Sequence, residues 1–180
     1  MAGDYEVSAH YVSSLAKVLE HRRLLHASPS PAAPLLESPW ARWWWPGSLA
    51  ESVFVAVGQQ AGPAAVREVV AELLQQHMLP GLGPAVSWLL SLSGVRPSTL
   101  FARMDLLSTT LLRGVSFDWR ADGPSAGVLR VRYPSPAQDP QVLAEVWRPI
   151  FEQVFHLTHT AGEVTGIDIA DGVLEARLSW

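Results

Sequence analysis

The sequence predicts an α+β domain in which a helical N-terminal half packs on a four-stranded, mainly antiparallel sheet. Three observations predict it. Apolar residues recur at helical spacing up to about position 114. From about 115 onward two pairs of alternating runs flank one long helical stripe. Of the 180 residues, 48% are hydrophobic and 17% charged, a composition that supports a core hiding about 70% of the unfolded surface. The predicted order is α-α-α-α-α-β-β-α-β-β in a single domain over 1–180, with the helical part at 1–114 and the β-β-α-β-β part at 115–180.

The elements follow in order. Residues 7–25 carry a helical stripe of Tyr11, Leu15, Val18 and Arg22, with Val12 and Leu19 beside it. Residues 27–47 hold Pro29, Pro31, Pro34, Pro39 and Pro46, a density that forces extended or turn geometry. Ser48-Leu-Ala-Glu51 is a capping-box pattern that opens the next helix. Gly62-Pro63 ends it and starts another, whose stripe runs through Val66, Val69, Val70, Leu73 and Leu74 to Pro80-Gly81. A short apolar helix is predicted over 84–92, and Pro97-Ser98 opens a further one through Leu100, Phe101, Met104, Leu107 and Leu111 to Gly114. Strands are predicted at 115–120 and 128–133, and a helix at 141–160 with Val142, Leu143, Val146, Trp147, Ile150, Phe151, Val154 and Phe155 on a wide apolar face. Asp171-Gly172 joins the last two strands, 164–170 and 173–180, as a hairpin.

Composition removes several functions. With no cysteine there is no disulfide, thiolate nucleophile, zinc ribbon or iron–sulfur centre. A net charge of −4 offers nothing to a polyanion, so no nucleic-acid partner is expected. The N-terminus lacks a basic-then-apolar run. The most apolar stretch, 79–95, is broken by Pro80, Gly81, Gly83, Pro84 and Gly94, which argues against a transmembrane segment. A cytoplasmic location is the expectation. Phosphate-loop, dinucleotide, nucleophile-elbow and HExxH signatures are all missing.

The order of elements, ending on a strand that finishes in Trp180, resembles the fold shared by four-vinyl-reductase-type domains, haem nitric-oxide-binding domains and Golgi transport-particle subunits. More closely, the chain resembles a bacterial paralogous family best populated in myxobacteria. The matching stretches are Val7-Ser-Ala-His-Tyr-Val-Ser-Ser-Leu, 49–70 with its Ala-Val-Gly-Gln-Gln-Ala-Gly-Pro core, 97–103, Arg113-Gly114 and 173–180. The resemblance implies a regulatory or binding role, often as a homodimer, and transfers no catalytic residue. The haem-binding relatives carry a proximal histidine and a Tyr-x-Ser-x-Arg trio, and no complete trio of that kind is present here.

Three groups are candidate sites. Trp40, Trp43, Trp44 and Trp45 crowd a proline-bounded loop, and rings of about 150–250 Å² each are either packed on the domain or offered to a partner or ligand. Docking on a membrane surface is a third use, weakened because Arg42 is the one nearby base. His156 and His159, with Glu152 one turn earlier, have the spacing of a weak divalent-metal site, while histidines at a helix end also simply meet free carbonyls. Asp118, Arg120, Arg130, Arg132, Glu175 and Arg177 fall on the polar side of the strands, where cross-strand ion pairs on a solvated face are the default.

The function these readings favour is a non-enzymatic ligand- or partner-binding regulatory module. Its apolar pocket would lie between helices and sheet and take a small apolar ligand or a protein partner. Trp88, Phe101, Met104, Trp119, Trp147 and Phe151 are expected to line the core or that pocket. No cofactor is expected, with haem or a divalent metal kept as the alternative: a sensor or small enzyme using His156 and His159. A second alternative is a dimeric protein–protein adaptor.

Overall fold

The structure is a computed structural model that describes residues 4–24, 33–78 and 95–180. The predicted helix at 84–92, with Trp88, lies outside the described residues, as do 27–32 of the proline-rich segment.

The chain opens on a short strand, β1 (Glu6–Ser8), followed by α1 (Ala9–His21). The helical stripe of 7–25 is therefore two elements, because Ser8 is extended and caps α1 by accepting the Tyr11 N–H at 3.2 Å. A short helix α2 (Ala33–Glu37) and a 3₁₀ turn (Pro39–Ala41) lead to β2 (Trp44–Pro46). Helices α3 (Gly47–Ala61) and α4 (Pro63–Glu72) follow, and α4 runs on into a π-helical segment, Leu73–Met78. The predicted helix from Pro97 is divided into α5 (Pro97–Phe101) and α6 (Met104–Ser108), because Arg103 leaves helical geometry at φ −119° and ψ 15°. A two-residue strand, β3 (Leu112–Arg113), completes this half. β1 is the centre of a small antiparallel sheet in the order β2-β1-β3, with Val7 opposite both Trp45 and Leu112. Periodicity does not reveal strands of two or three residues.

The second half matches the predicted plan. Strands β4 (Ser116–Ala121) and β5 (Ala126–Arg132), helix α7 (Pro140–Leu157), and strands β6 (Glu163–Ala170) and β7 (Val173–Ser179) form an antiparallel sheet in the order β4-β5-β7-β6. Asp171 (φ 50°) and Gly172 (φ 72°) both take the left-handed region that a tight hairpin turn requires. Asp139 caps α7 by accepting from the Gln141 and Val142 amides at 2.9 and 3.1 Å, ahead of Pro140 in the first turn.

Helix α7 belongs to two cores. Val142 and Val146, one turn apart, pack among Val12, Leu15, Val53 and Val69 of the helical layer. Leu143, Trp147, Phe151 and Phe155 face Leu129, Val131, Leu174 and Ala176 of the sheet. On the sheet side Phe101 stacks on Trp119 with centroids 5.2 Å apart and meets Phe155 edge-on at 5.7 Å.

Candidate functional site

Between the helical layer and the sheet lies a cavity of about 150 Å³. Its walls come from every layer of the fold: Tyr5, Val7 and Tyr11 from the N-terminus, Glu51 and Phe54 from α3, and Val70, Leu73, Leu74 and Met78 from α4 and its π-helical extension. Met104 and Leu107 of α6 and Val146, Trp147 and Ile150 of α7 complete its lining. Of the residues expected to bind a ligand, Met104 and Trp147 are among these walls. Phe101, Phe151 and Trp119 are packed into the helix–sheet core beside it. Trp88 lies outside the described residues.

One end of the cavity is polar. Glu51 sits there, buried, and accepts the Tyr5 hydroxyl at 3.0 Å and the Gln138 N–H at 3.1 Å. The capping-box reading of Ser48 and Glu51 is corrected accordingly. The Ser48 hydroxyl donates to Asp4, and the Glu51 carboxylate turns inward toward partners 46 and 87 residues away. Gly47 makes this possible, since a Cβ there would stand 2.2 Å from the Tyr5 ring. Burial pushes the Glu51 carboxyl up, with the Asp4 charge adding to it, against the hydrogen bonds from Gln138 and Tyr5 that pull it down. Tyr133 accepts the Trp147 indole N–H, and its ring meets Tyr5 edge-on at 5.2 Å. Burial raises the phenols of Tyr5, Tyr11 and Tyr133 well above their ordinary range, so all three stay neutral hydroxyls. The Tyr11 hydroxyl has no hydrogen-bond partner among the described residues. Nothing in the sequence singles out Tyr5, Tyr11, Glu51 and Tyr133 as a site, because each has an ordinary local role as strand, helix or cap residue.

The tryptophan loop divides. Trp45 is core, its indole N–H donating to the Pro39 carbonyl at 2.8 Å, with the Arg42 guanidinium 5.5 Å from its ring centre. Trp44 is half-buried beneath the Arg113 guanidinium, 3.8 Å from the ring centre. Trp40 and Trp43 face outward at 60% and 79% exposure and meet each other edge-on at 6.5 Å. His156 and His159 are exposed, and no group of three metal-capable side chains assembles among the described residues. On the sheet, Arg130 pairs with Glu175 at 2.9 Å and Arg177 with Asp168 at 2.5 Å, both cross-strand pairs. Among the described residues no helix is long and apolar enough to cross a membrane.

No protein-family model matches the chain, and no curated protein matches it in sequence, so the likeness to the myxobacterial family gains no support there. Solved structures do match. An oxygen-binding H-NOX domain related to soluble guanylate cyclases, in its oxygen complex, is 13% identical over 95% of this chain and 92% of that one, with a TM-score of 0.54. A structure that probes the function of haem distortion in the H-NOX family is 15% identical over 96% of this chain and 94% of that one, with a TM-score of 0.55. A structure concerned with modulating haem redox potential through porphyrin distortion is 14% identical over 96% and 99%, with a TM-score of 0.54. These matches overturn the expectation of no cofactor, because haem is among the groups held by proteins of this architecture. The trio of the haem-binding relatives is present in part: Tyr133-Pro-Ser135-Pro-Ala137 keeps its first two positions and has Ala137 in place of the arginine. At these identities the likeness speaks to architecture, and this chain has the H-NOX fold.

Proposed function

We propose that the chain is a ligand-sensing domain on the H-NOX fold, holding a small apolar molecule between its helical layer and its four-stranded sheet. The cavity carries this reading. Protein interiors tolerate few voids larger than a water molecule. A pocket of about 150 Å³ with almost wholly apolar walls leaves those side chains without packing partners until a ligand supplies them. A dry cavity of that volume accommodates one benzene-sized ring. α7 supports the sensing part, because the helix that walls the cavity also forms the helix–sheet core. In this reading the outward Trp40–Trp43 pair is the part of the loop available to a protein partner, and Trp45 is not. A homodimer is the assembly the family resemblance implied, and light scattering at high concentration tests it; a strict monomer removes it.

The test of the apolar-ligand reading is a melting curve with saturating toluene. Binding to the folded state alone raises the midpoint as the ligand exceeds its Kd. No shift with toluene, and none with other single-ring probes, sinks the reading.

Haem is the second reading, and the structural likeness favours it. The residues here do not suit it. Among the described residues the cavity wall has no histidine to bind iron and no arginine or lysine to receive propionates. Its one charged side chain, Glu51, repels them. Absorption spectra after incubation with haemin and desalting separate the two readings. A retained, stoichiometric Soret band makes haem the ligand and ends the single-ring reading.

A further inference from the structure

The polar end of the cavity narrows the ligand class, an inference that rests on the apolar-ligand reading. Glu51 is the one acid in the wall, and no lysine, arginine or histidine faces it from the described residues. Its carboxylate holds only two neutral donors, the Tyr5 hydroxyl and the Gln138 N–H. A buried carboxylate without a counter-charge is costly, and a cation beside it recovers that cost. Asp4, close enough to act on Glu51, adds negative potential at the same end. Tyr11 supplies a second, independent observation. It is only 9% exposed, it lines the cavity, and its hydroxyl has no partner among the described residues. Such a hydroxyl offers free lone pairs to a donor. The rings of Tyr5 and Tyr133 border the same end, Tyr5 through its hydroxyl's bond to Glu51 and Tyr133 through its edge-on contact with Tyr5.

We infer that the cavity binds a small apolar amine, its single ring or short aliphatic body among the leucines and valines and its ammonium head between Glu51 and Tyr11. An ammonium has three donors and no acceptor, which matches a wall end that offers a carboxylate and an unpartnered hydroxyl. Carboxylated ligands of the same size are rejected, because they meet Glu51 without any compensating base.

The test compares benzylamine, toluene and benzoate, three probes with one ring and different heads, by calorimetry and melting shift on the intact chain. Benzylamine is expected to bind at least about tenfold more tightly than toluene, a difference within reach of one charge-assisted contact, and benzoate not at all. Glu51→Gln should erase the preference. Tyr11→Phe, which keeps the ring and removes only the unpartnered hydroxyl, should weaken benzylamine and leave toluene unchanged. If Glu51→Gln does not fold, the ranking on the unaltered protein still decides. Toluene equal to or tighter than benzylamine, or measurable benzoate binding, overturns the amine assignment while the apolar-ligand reading stands. Binding of none of the three overturns both.

Discussion

Trp45 and Trp43, two positions apart, show how differently nearby rings can be used. Trp45 sits in the helical core and donates its indole N–H to the Pro39 carbonyl. Trp43 contributes its backbone carbonyl to the start of α1, accepting the Ala9 N–H at 2.9 Å, while its ring stays outside. Trp45→Ala is therefore expected to cost about 3–5 kcal/mol in chemical denaturation. Trp43→Ala should stay within about 0.5 kcal/mol of the parent. Equal losses at both positions would mean that the exposed ring is packed in solution. Glu51 gives a second test at this scale. Its carboxyl is raised on folding, chiefly by burial, so the stability linked to it is complete below its unfolded value and declines as pH rises through the folded one. Glu51→Gln cannot ionise. The melting temperature of Glu51→Gln relative to the parent should therefore improve from pH 4 to pH 7.5. A relative melting temperature that falls over that range would show that the carboxylate is stabilised in the folded state.

At the scale of elements, the C-terminus of α7 is closed by an unusual residue. His159 takes φ 50°, the left-handed position after the helix, while the Thr160 N–H reaches back to the Phe155 carbonyl at 3.0 Å. Glycine is the residue normally favoured there, since a side chain costs about 1–2 kcal/mol in that conformation. His159→Gly should raise stability by about 0.5–1 kcal/mol in urea titration, after allowing for the extra freedom of glycine in the unfolded chain. A loss would mean that the imidazole makes a contact in solution that outweighs the backbone strain. The same element shows what sequence makes legible. α7 and the two hairpins are readable because their periods, 3.6 and 2, persist over several turns or pairs, and Asp171-Gly172 marks its turn by the chemistry of its two residues. β1, β2 and β3 are too short to show a period. Glu51 is hidden for a different reason. Three residues after Ser48, it satisfies a local capping pattern completely, and only tertiary structure shows that the carboxylate has left the helix end for Tyr5 and Gln138. The pocket is legible as a place between two layers. Its polar end is not, because Tyr5, Glu51 and Tyr133 come together from three distant segments.

For the whole molecule, the shared helix decides how it unfolds. α7 packs one stripe on the helical layer and another on the sheet, so neither half keeps its core when the other opens. Thermal unfolding should be one transition, coincident by tryptophan fluorescence and far-UV circular dichroism. Two separated transitions would show that 4–114 and 115–180 are independent units. Salt bridges add to the helical side without deciding it. Arg22 reaches Glu72 and Glu68 at 2.6 and 2.7 Å, tying the end of α1 to α4, where such partly exposed pairs contribute about 1 kcal/mol or less.

The placement of β1 also sets an order of events as the chain is made. Its strand pairs with residue 113, and the hydrogen bonds around Tyr5 and Glu51 are complete only when Gln138 arrives. Contacts this far apart in sequence form late, since the loop-closure cost precedes the gain. In a chain synthesised from its N-terminus, the carboxylate end of the cavity is thus among the last features to close. A ligand present during synthesis can settle against Tyr5 and Glu51 before Gln138 completes that end of the pocket.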